Sequence, residues 1–246
     1  MDTFGLIGHP LSHSFSKSFF TEKFRDERID AVYLNFDLED ISEFPNLLRS
    51  HPDLKGMNVT IPYKEAIIPY LDELDDTAKA IGAVNVIRVV REGEKVILKG
   101  YNSDVIGFSE SIRPLLTSYH KKALVLGTGG ASKAVLYALR NLHVEPHSVS
   151  RRGSEGVYAY EEITPEKLNE YQVVVNTTPL GMYPHVNEKP SLPYEKARVN
   201  DIFFDLIYNP EVTRFMAEAA QRGARTKNGY EMLIGQALEA WRIWNL

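Results

Sequence analysis

The sequence predicts an α/β protein made of two α/β domains, the first with a mainly parallel sheet. Three observations lead there. Short apolar runs alternate with amphipathic segments along the chain, which implies parallel strands joined by right-handed crossovers. The runs at 84–90 and 95–99, split by Arg91-Glu92-Gly93-Glu94, read as a hairpin. A second βα series then opens where the apolar run ALVL meets a glycine-rich turn, GTGGAS, and a helical pattern. The 246 residues suit one large or two modest domains, and 43% hydrophobic with 25% charged residues promises a sizeable core.

In order, the first strand is expected at 4–8, followed by a helix over 15–28 with Phe15, Phe19, Phe20 and Phe24 on one side. Strands follow at 32–37 and 56–61. In the latter Met57, Val59 and Ile61 alternate with Asn58 and Thr60, the period of a strand with one apolar face. After the hairpin, 103–118 reads as a connecting helix broken late by Pro114, so the domain boundary falls near Asn102. Strand 123–126 and a helix to about Leu142 come next, then strands at 148–150, 173–176 and 203–205, and helices at 211–222 and 230–244. Trp241 and Trp244, three apart on the last helix, read as core packing with a contact surface as the alternative.

A net charge of −5 gives no broad attraction to nucleic acid or anionic lipid. The absence of cysteine excludes disulfides, thiolate metal sites and cysteine nucleophiles. The segment MDTFGLIGHP lacks the basic and apolar regions of a signal peptide, and no run approaches the ~20 apolar residues of a membrane span. The expected location is the cytoplasm. Seven histidines show no ligand spacing, so no metal site is expected.

The glycine turn carries the first chemistry. Gly127 permits a tight turn, Gly129 lets the backbone approach an anion, and the helix after it offers free N–H groups to phosphate. Ser132 stands at the third position of G-x-G-x-x-G, so the fingerprint is imperfect, and a plain βα turn is the alternative. About 20 residues on, where an NAD enzyme places an acid, the chain has Ser150-Arg151-Arg152. Two guanidinium groups at the end of the second strand of a Rossmann-type unit suit the 2′-phosphate of NADP(H). The loop TTPLGM after strand 173–176, with Thr177, Thr178, Pro179 and Gly181, lies at another strand end where open α/β sheets bind ligands.

The first domain collects polar groups in the same way. NVTIPYKE brings Thr60 and Lys64 to one strand end, GHPLSHSFS offers Ser12, Ser14 and Ser16, GAVN places Asn85, and YNSD places Asn102 and Asp104. Hydroxyls, amides, a lysine and a carboxylate together would suit a small polyhydroxylated ligand. Taken singly each has an ordinary alternative: serines and Asp104 cap helices, Asn85 sits in a turn, and Lys64 is solvated.

The ordered set GHPLSHSFS, NVTIPYKE, GAVN, YNSD, GTGGAS, SRR, NTTPLGM and NGYEMLIGQA, from Gly8 to Ala237, closely resembles the shikimate dehydrogenase family. The resemblance implies a substrate domain, 1–102 with 228–246, and a Rossmann-like NADP domain, 103–227, with a cleft between them. It implies that Ser14 and Ser16 hold the substrate carboxylate. Thr60, Asn85, Asp104 and Gln236 would bind the ring hydroxyls, and Tyr208 would close on the substrate. Lys64 matches the catalytic lysine and Asp104 its partner. On the cofactor side Gly127, Thr128, Gly129, Gly130 and Ala131 match the diphosphate loop, and Ser150, Arg151 and Arg152 the 2′-phosphate clamp. Thr178 and Met182 match the loop beside the cofactor, Ile207 and Gly229 the nicotinamide neighbourhood, and Asp76 an acid near the cofactor.

The implied activity is reversible reduction of 3-dehydroshikimate to shikimate with NADPH, in aromatic amino acid biosynthesis, by a monomer or homodimer whose partners are small molecules. Whether Lys64 is mainly a proton carrier or an electrostatic anchor stays open, as does use of quinate or NAD. A binding module without catalysis is the rival from another class, and retention of Lys64, Asp104 and the cofactor loop argues against it. The chain departs from the pattern at Lys17, where proline is usual, at Val105, and between Arg152 and Val173, a stretch short for a βα unit and expected to lack its helix.

Overall fold

The first sheet mixes parallel strands with the hairpin. The computed structural model describes residues 1–11, 14–93 and 95–246; Ser12, and Glu94 of the hairpin turn, lie outside the described residues. In chain order the elements are β1 (Asp2–Gly8), α1 (Phe15–Asp26), β2 (Ala31–Asp37), α2 (Phe44–Ser50), β3 (Leu54–Val59), β4 (Glu73–Leu74), α3 (Asp76–Ile81), β5 (Val86–Glu92) and β6 (Lys95–Tyr101). The strand order is β2-β1-β3-β5-β6-β4. β1 pairs in parallel with β2 and β3, β5 runs antiparallel to β3 and β6, and β4 joins β6 in parallel. Ser14 starts α1 by accepting a hydrogen bond from the Lys17 N–H at 3.1 Å, and Gly82 ends α3 in the left-handed region at φ 70.

The remaining elements are α4 (Asp104–Ile112), β7 (Lys122–Leu126), α5 (Gly130–Asn141), β8 (Glu145–Ser150), β9 (Val157–Ala159), α6 (Pro165–Leu168), β10 (Val173–Asn176), β11 (Ile202–Asp205), α7 (Arg214–Ala220), β12 (Arg225–Lys227) and α8 (Tyr230–Trp244). The second sheet runs β12-β11-β10-β7-β8-β9, with every pairing parallel. Read from β9, it is the doubly wound order of a Rossmann unit, which reverses direction between β7 and β10. β10 and β11 are buried along their length and β7 from Ala123 onward, as strands covered on both faces must be.

By packing, the chain divides into one unit of Met1–Ser103 with Ala237–Leu246 and a second of Asp104–Gln236. Residues 228–236, placed with the first domain on the sequence, group with the second unit because Met232 and Gln236 of α8 pack on Gly107 of α4. The end of α8 supplies the first unit with Ala237, Ala240, Ile243 and Trp244, which pack with Phe4, Phe20, Phe24 and Tyr33. Trp244 is a core residue, its indole N–H donating to the Ile87 carbonyl at 3.1 Å. β8 reaches β9 without a helix, and between β9 and β10 the chain makes a 3-10 turn at Tyr160–Glu162 and the single turn α6, where the sequence predicts no helix after Arg152. The helix expected over 211–222 is shorter because Thr213 caps it, accepting from the Met216 N–H at 3.3 Å. The helix expected over 103–118 ends at Ile112, before a 3-10 turn at Arg113–Leu115.

Candidate active site

The register of the first sheet brings the N-terminal polar groups to one edge. Ile7 pairs with Val59 in parallel, so the loops after β1 and β3 leave side by side. Asn58 pairs with Val86 in antiparallel, and Val86 with Tyr101, so the start of β5 and the end of β6 arrive at that same edge. Thr60, Lys64, Asn85 and Ser103 therefore share an edge with the loop leading to Ser14 and Ser16. The β3 end is held firmly. Thr60 N–H donates to the Ile7 carbonyl at 2.9 Å, Tyr63 buries its ring and donates to the Leu38 carbonyl at 2.6 Å, and the Lys64 carbonyl accepts from Val84 N–H at 2.7 Å. Lys64 itself stays half-buried.

Beneath that edge runs a buried polar chain that the sequence reading missed. Tyr33 donates to Asn58 Oδ1 at 2.8 Å. Asn58 Nδ2 donates to the Asn85 carbonyl at 3.4 Å, and Asn85 grips Ser103 through its amide nitrogen at 3.0 Å and its oxygen at 2.7 Å. Burial pushes the Tyr33 phenol well above its ordinary range. The sequence marks Asn58 only as a polar position in a strand, and Tyr33 carries no signal beyond β propensity. Ser14 spends its oxygen on the α1 cap and keeps its O–H to donate, while the first turn of a 12-residue helix favours an anion such as a carboxylate. Asp76, exposed, opens α3 in this unit, away in the chain from the other cofactor residues, all of which lie in the second.

In the second unit the candidates line one edge in spatial order. The carboxyl ends of β8, β7, β10 and β11, adjacent in the sheet, carry 150–152, 127–131, 177–182 and 206–208 in turn. Gly127 has φ 113, where a side chain is strained, and a Cβ there would meet Thr177 Oγ1 at 2.6 Å. Gly129 caps α5 with no side-chain hydrogen bond, leaving the first-turn N–H groups for an anion, and a Cβ on it would meet nothing. Ser132, at the imperfect third position, is buried and donates to the Gly129 carbonyl at 2.6 Å, tying down the turn that glycine packing usually secures. Thr128, Ser150, Arg151 and Arg152 line an open cavity of about 560 Å³. Both arginines are exposed, and Ser150 donates to the Arg152 carbonyl, which shapes the turn.

Along the edge, Thr178 is fixed by Asn176, whose Oδ1 accepts from its N–H at 3.1 Å and its Oγ1 at 2.7 Å. Met182 and Tyr208 are exposed; Ile207 is buried and its carbonyl accepts from Gly229 N–H at 3.0 Å. Asp205, fully buried, accepts from Asn176, Ile207 and Thr213. Burial pushes its carboxyl up to about 6 against those three hydrogen bonds. Asp104 begins α4 and is buried, and Gln236 lies on α8 with its amide donating to the Leu233 carbonyl at 3.1 Å. Asn176 and Asp205 each close an apolar strand, VVVN and IFFD, a sequence signal that the motif reading passed over.

Among the described residues no group of three or more His, Asp or Glu could hold a metal, and no helix is long and apolar enough to cross a membrane.

Comparison with known proteins agrees with this arrangement. Residues 6–87 match a family model described as the shikimate dehydrogenase substrate binding domain. The NADP(+) shikimate dehydrogenase of Methanococcus vannielii is 37% identical, over 98% of this chain and 90% of that protein. That of Shouchella clausii is 39% identical over 98% and 92%. The structure of the Thermus thermophilus enzyme in complex with NADP(H) and shikimate superposes with a TM-score of 0.86 at 32% identity, covering 99% of this chain and 93% of that one. Sequence identity that runs through both units, together with a shared fold over the same length, makes the chain a member of the shikimate dehydrogenase family.

Proposed function

We propose that this protein is an NADP-dependent shikimate dehydrogenase, which reversibly reduces 3-dehydroshikimate to shikimate in the route to the aromatic amino acids. The observation that carries the reading is that one chain keeps two complete polar edges. One bears Lys64 with hydroxyl and amide groups; the other bears the glycine turn, the arginine pair and the bracing of Thr178. NADPH supplies the hydride when bound. Gly127 to Ala131 hold the diphosphate, Ser150, Arg151 and Arg152 the 2′-phosphate, and Thr178, Met182, Ile207 and Gly229 border the nicotinamide. Asp76, at the start of α3, is assigned to the cofactor as well.

Ser14 and Ser16 take the substrate carboxylate at the start of α1, Thr60, Asn85, Asp104 and Gln236 take its hydroxyls, and Tyr208 contacts the substrate. Most of the substrate contacts fall to residues 1–103 and most of the cofactor contacts to residues 104–236. Lys64 gives the reacting oxygen its proton in reduction and accepts it in oxidation, with Asp104 as its carboxylate partner. Acid–base groups of this kind contribute about 10²–10⁴-fold. Lys64→Ala is therefore expected to lower kcat by that factor in steady-state oxidation of shikimate with NADP, followed by cofactor absorbance. A loss of less than about fivefold would take Lys64 out of the chemistry. No turnover by the unmutated protein, with saturable shikimate binding by calorimetry, would replace the enzyme with a binding module.

A further inference from the structure

We propose that Asn176 and Asp205 are positioning residues for the reactive end of the cofactor, locking together the two loops that border the nicotinamide. The proposal rests on the reading of the chain as an NADP-dependent dehydrogenase. Both side chains are fully buried, so neither reaches substrate or cofactor. They join adjacent strand ends: Asn176 Nδ2 donates to Asp205 Oδ1 at 3.0 Å, across the pair formed by β10 and β11.

Each residue then holds its own loop. Asn176 Oδ1 accepts from the Thr178 N–H and hydroxyl, and its Nδ2 also donates to the Leu180 carbonyl at 3.4 Å. The Thr178 hydroxyl in turn accepts from Leu180 N–H at 3.3 Å. Asp205 Oδ1 accepts from Ile207 N–H at 3.0 Å, and its Oδ2 from the Thr213 hydroxyl at 2.6 Å. Thr213 is also the cap of α7, so the brace ends on a helix. The two loops meet once more where Tyr183 N–H donates to the Asn209 carbonyl at 3.2 Å. Thr178, Met182, Ile207 and Tyr208 all hang from this frame, whereas the glycine turn and the arginine pair belong to β7 and β8.

A pair of apolar residues would fill the same space at the strand ends. Only a donor–acceptor pair sets the direction in which both loops leave the sheet, and hydride transfer is sensitive to displacements of about 1 Å. The brace therefore acts at one end of the cofactor and leaves the other alone.

The test separates the two ends. Adenosine 2′,5′-bisphosphate reports the 2′-phosphate end by calorimetry, and shikimate oxidation with NADP reports the nicotinamide end. Asn176→Ala and Asp205→Ala are expected to bind the bisphosphate within about threefold of the unmutated protein while kcat falls about tenfold or more. With shikimate deuterated at the carbon that gives up hydride, the isotope effect on kcat should rise, because hydride transfer becomes limiting. Asp205→Asn should keep kcat within about threefold, since its amide oxygen still accepts from Ile207 and Asn176 and its amide nitrogen can donate to Thr213. Should Asp205→Ala fail to fold, Asn176→Ala carries the test, leaving Asp205 two of its donors.

Unchanged kcat and isotope effect in a folded alanine variant would overturn the proposal. So would parallel losses of bisphosphate binding and kcat, which mark a general structural role. If the unmutated protein bound the bisphosphate but did not oxidise shikimate, the dehydrogenase reading would fail and the proposal with it, a result visible before any substitution.

Discussion

Arg151 and Arg152 leave the end of β8 exposed beside Thr128, where a 2′-phosphate is proposed to sit. A charge-assisted hydrogen bond is worth about 1.5–3 kcal/mol. Arg151→Ala is thus expected to weaken NADP by about ten- to a hundredfold and to leave NAD nearly untouched; equal losses for both cofactors would refute the clamp. Asp205 gives a second prediction at this scale. Its folded-state carboxyl, pushed up to about 6, holds a proton at pH values where the unfolded chain, near 3.8, has lost it. Its contribution to stability is thus complete below the lower value, lost as pH rises through about 6, and constant above. The loss is about 3 kcal/mol. Relative to the unmutated protein, Asp205→Asn should therefore gain about 2 kcal/mol of that between pH 4 and pH 7 by urea denaturation. A stability difference that does not move with pH would show that the buried carboxyl titrates normally.

At the scale of elements, the crossing of α4 and α8 is set by absence of bulk. A Cβ on Gly107 would lie 2.5 Å from the Met232 carbonyl oxygen and 2.9 Å from the Gln236 nitrogen. Alanine is the better helix former by about 1 kcal/mol, but overpacking costs about 1–3 kcal/mol and here meets backbone that cannot swing aside. Gly107→Ala should lower Tm and raise KM for shikimate, through displaced Gln236, while bisphosphate binding by calorimetry stays put. A raised Tm would mean that α8 yields freely. The elements themselves were largely legible in the sequence. ALVL, VVVN and the 84–99 hairpin announced themselves by apolar runs and turn chemistry, and the candidate site residues stood out as strand-end motifs. What stayed hidden depends on pairing register. The links from Tyr33 to Asn58 and from Asn176 to Asp205 span 25 and 29 residues, and no local pattern encodes a partner at such a distance. The edge strands β4, β9 and β12, two or three residues long, are too short to carry a period.

For the molecule as a whole, the first unit is discontinuous in sequence. Its aromatic cluster joins Phe4, Phe20, Phe24 and Tyr33 to Trp241 and Trp244, with ring centroids of Phe4 and Trp244 4.9 Å apart. Removing a buried aromatic costs about 3–5 kcal/mol. Trp244→Ala should thus unfold the first unit at a lower temperature, read by loss of shikimate binding, while the second unit still binds adenosine 2′,5′-bisphosphate. Intact shikimate binding at the original Tm would show that the cluster is dispensable.

That discontinuity also orders events on the ribosome. Chains emerge from the amino end at about 5–20 residues per second, and domains tend to fold as they appear. Here residues 1–103 emerge first but lack their aromatic seal until 237–246 have been made. Over that interval Phe4, Phe20 and Phe24 stay uncovered, while 104–236, contiguous in the chain, can complete its own sheet. The half synthesised first becomes the half finished last, and its exposed rings are where a nascent-chain chaperone would find purchase.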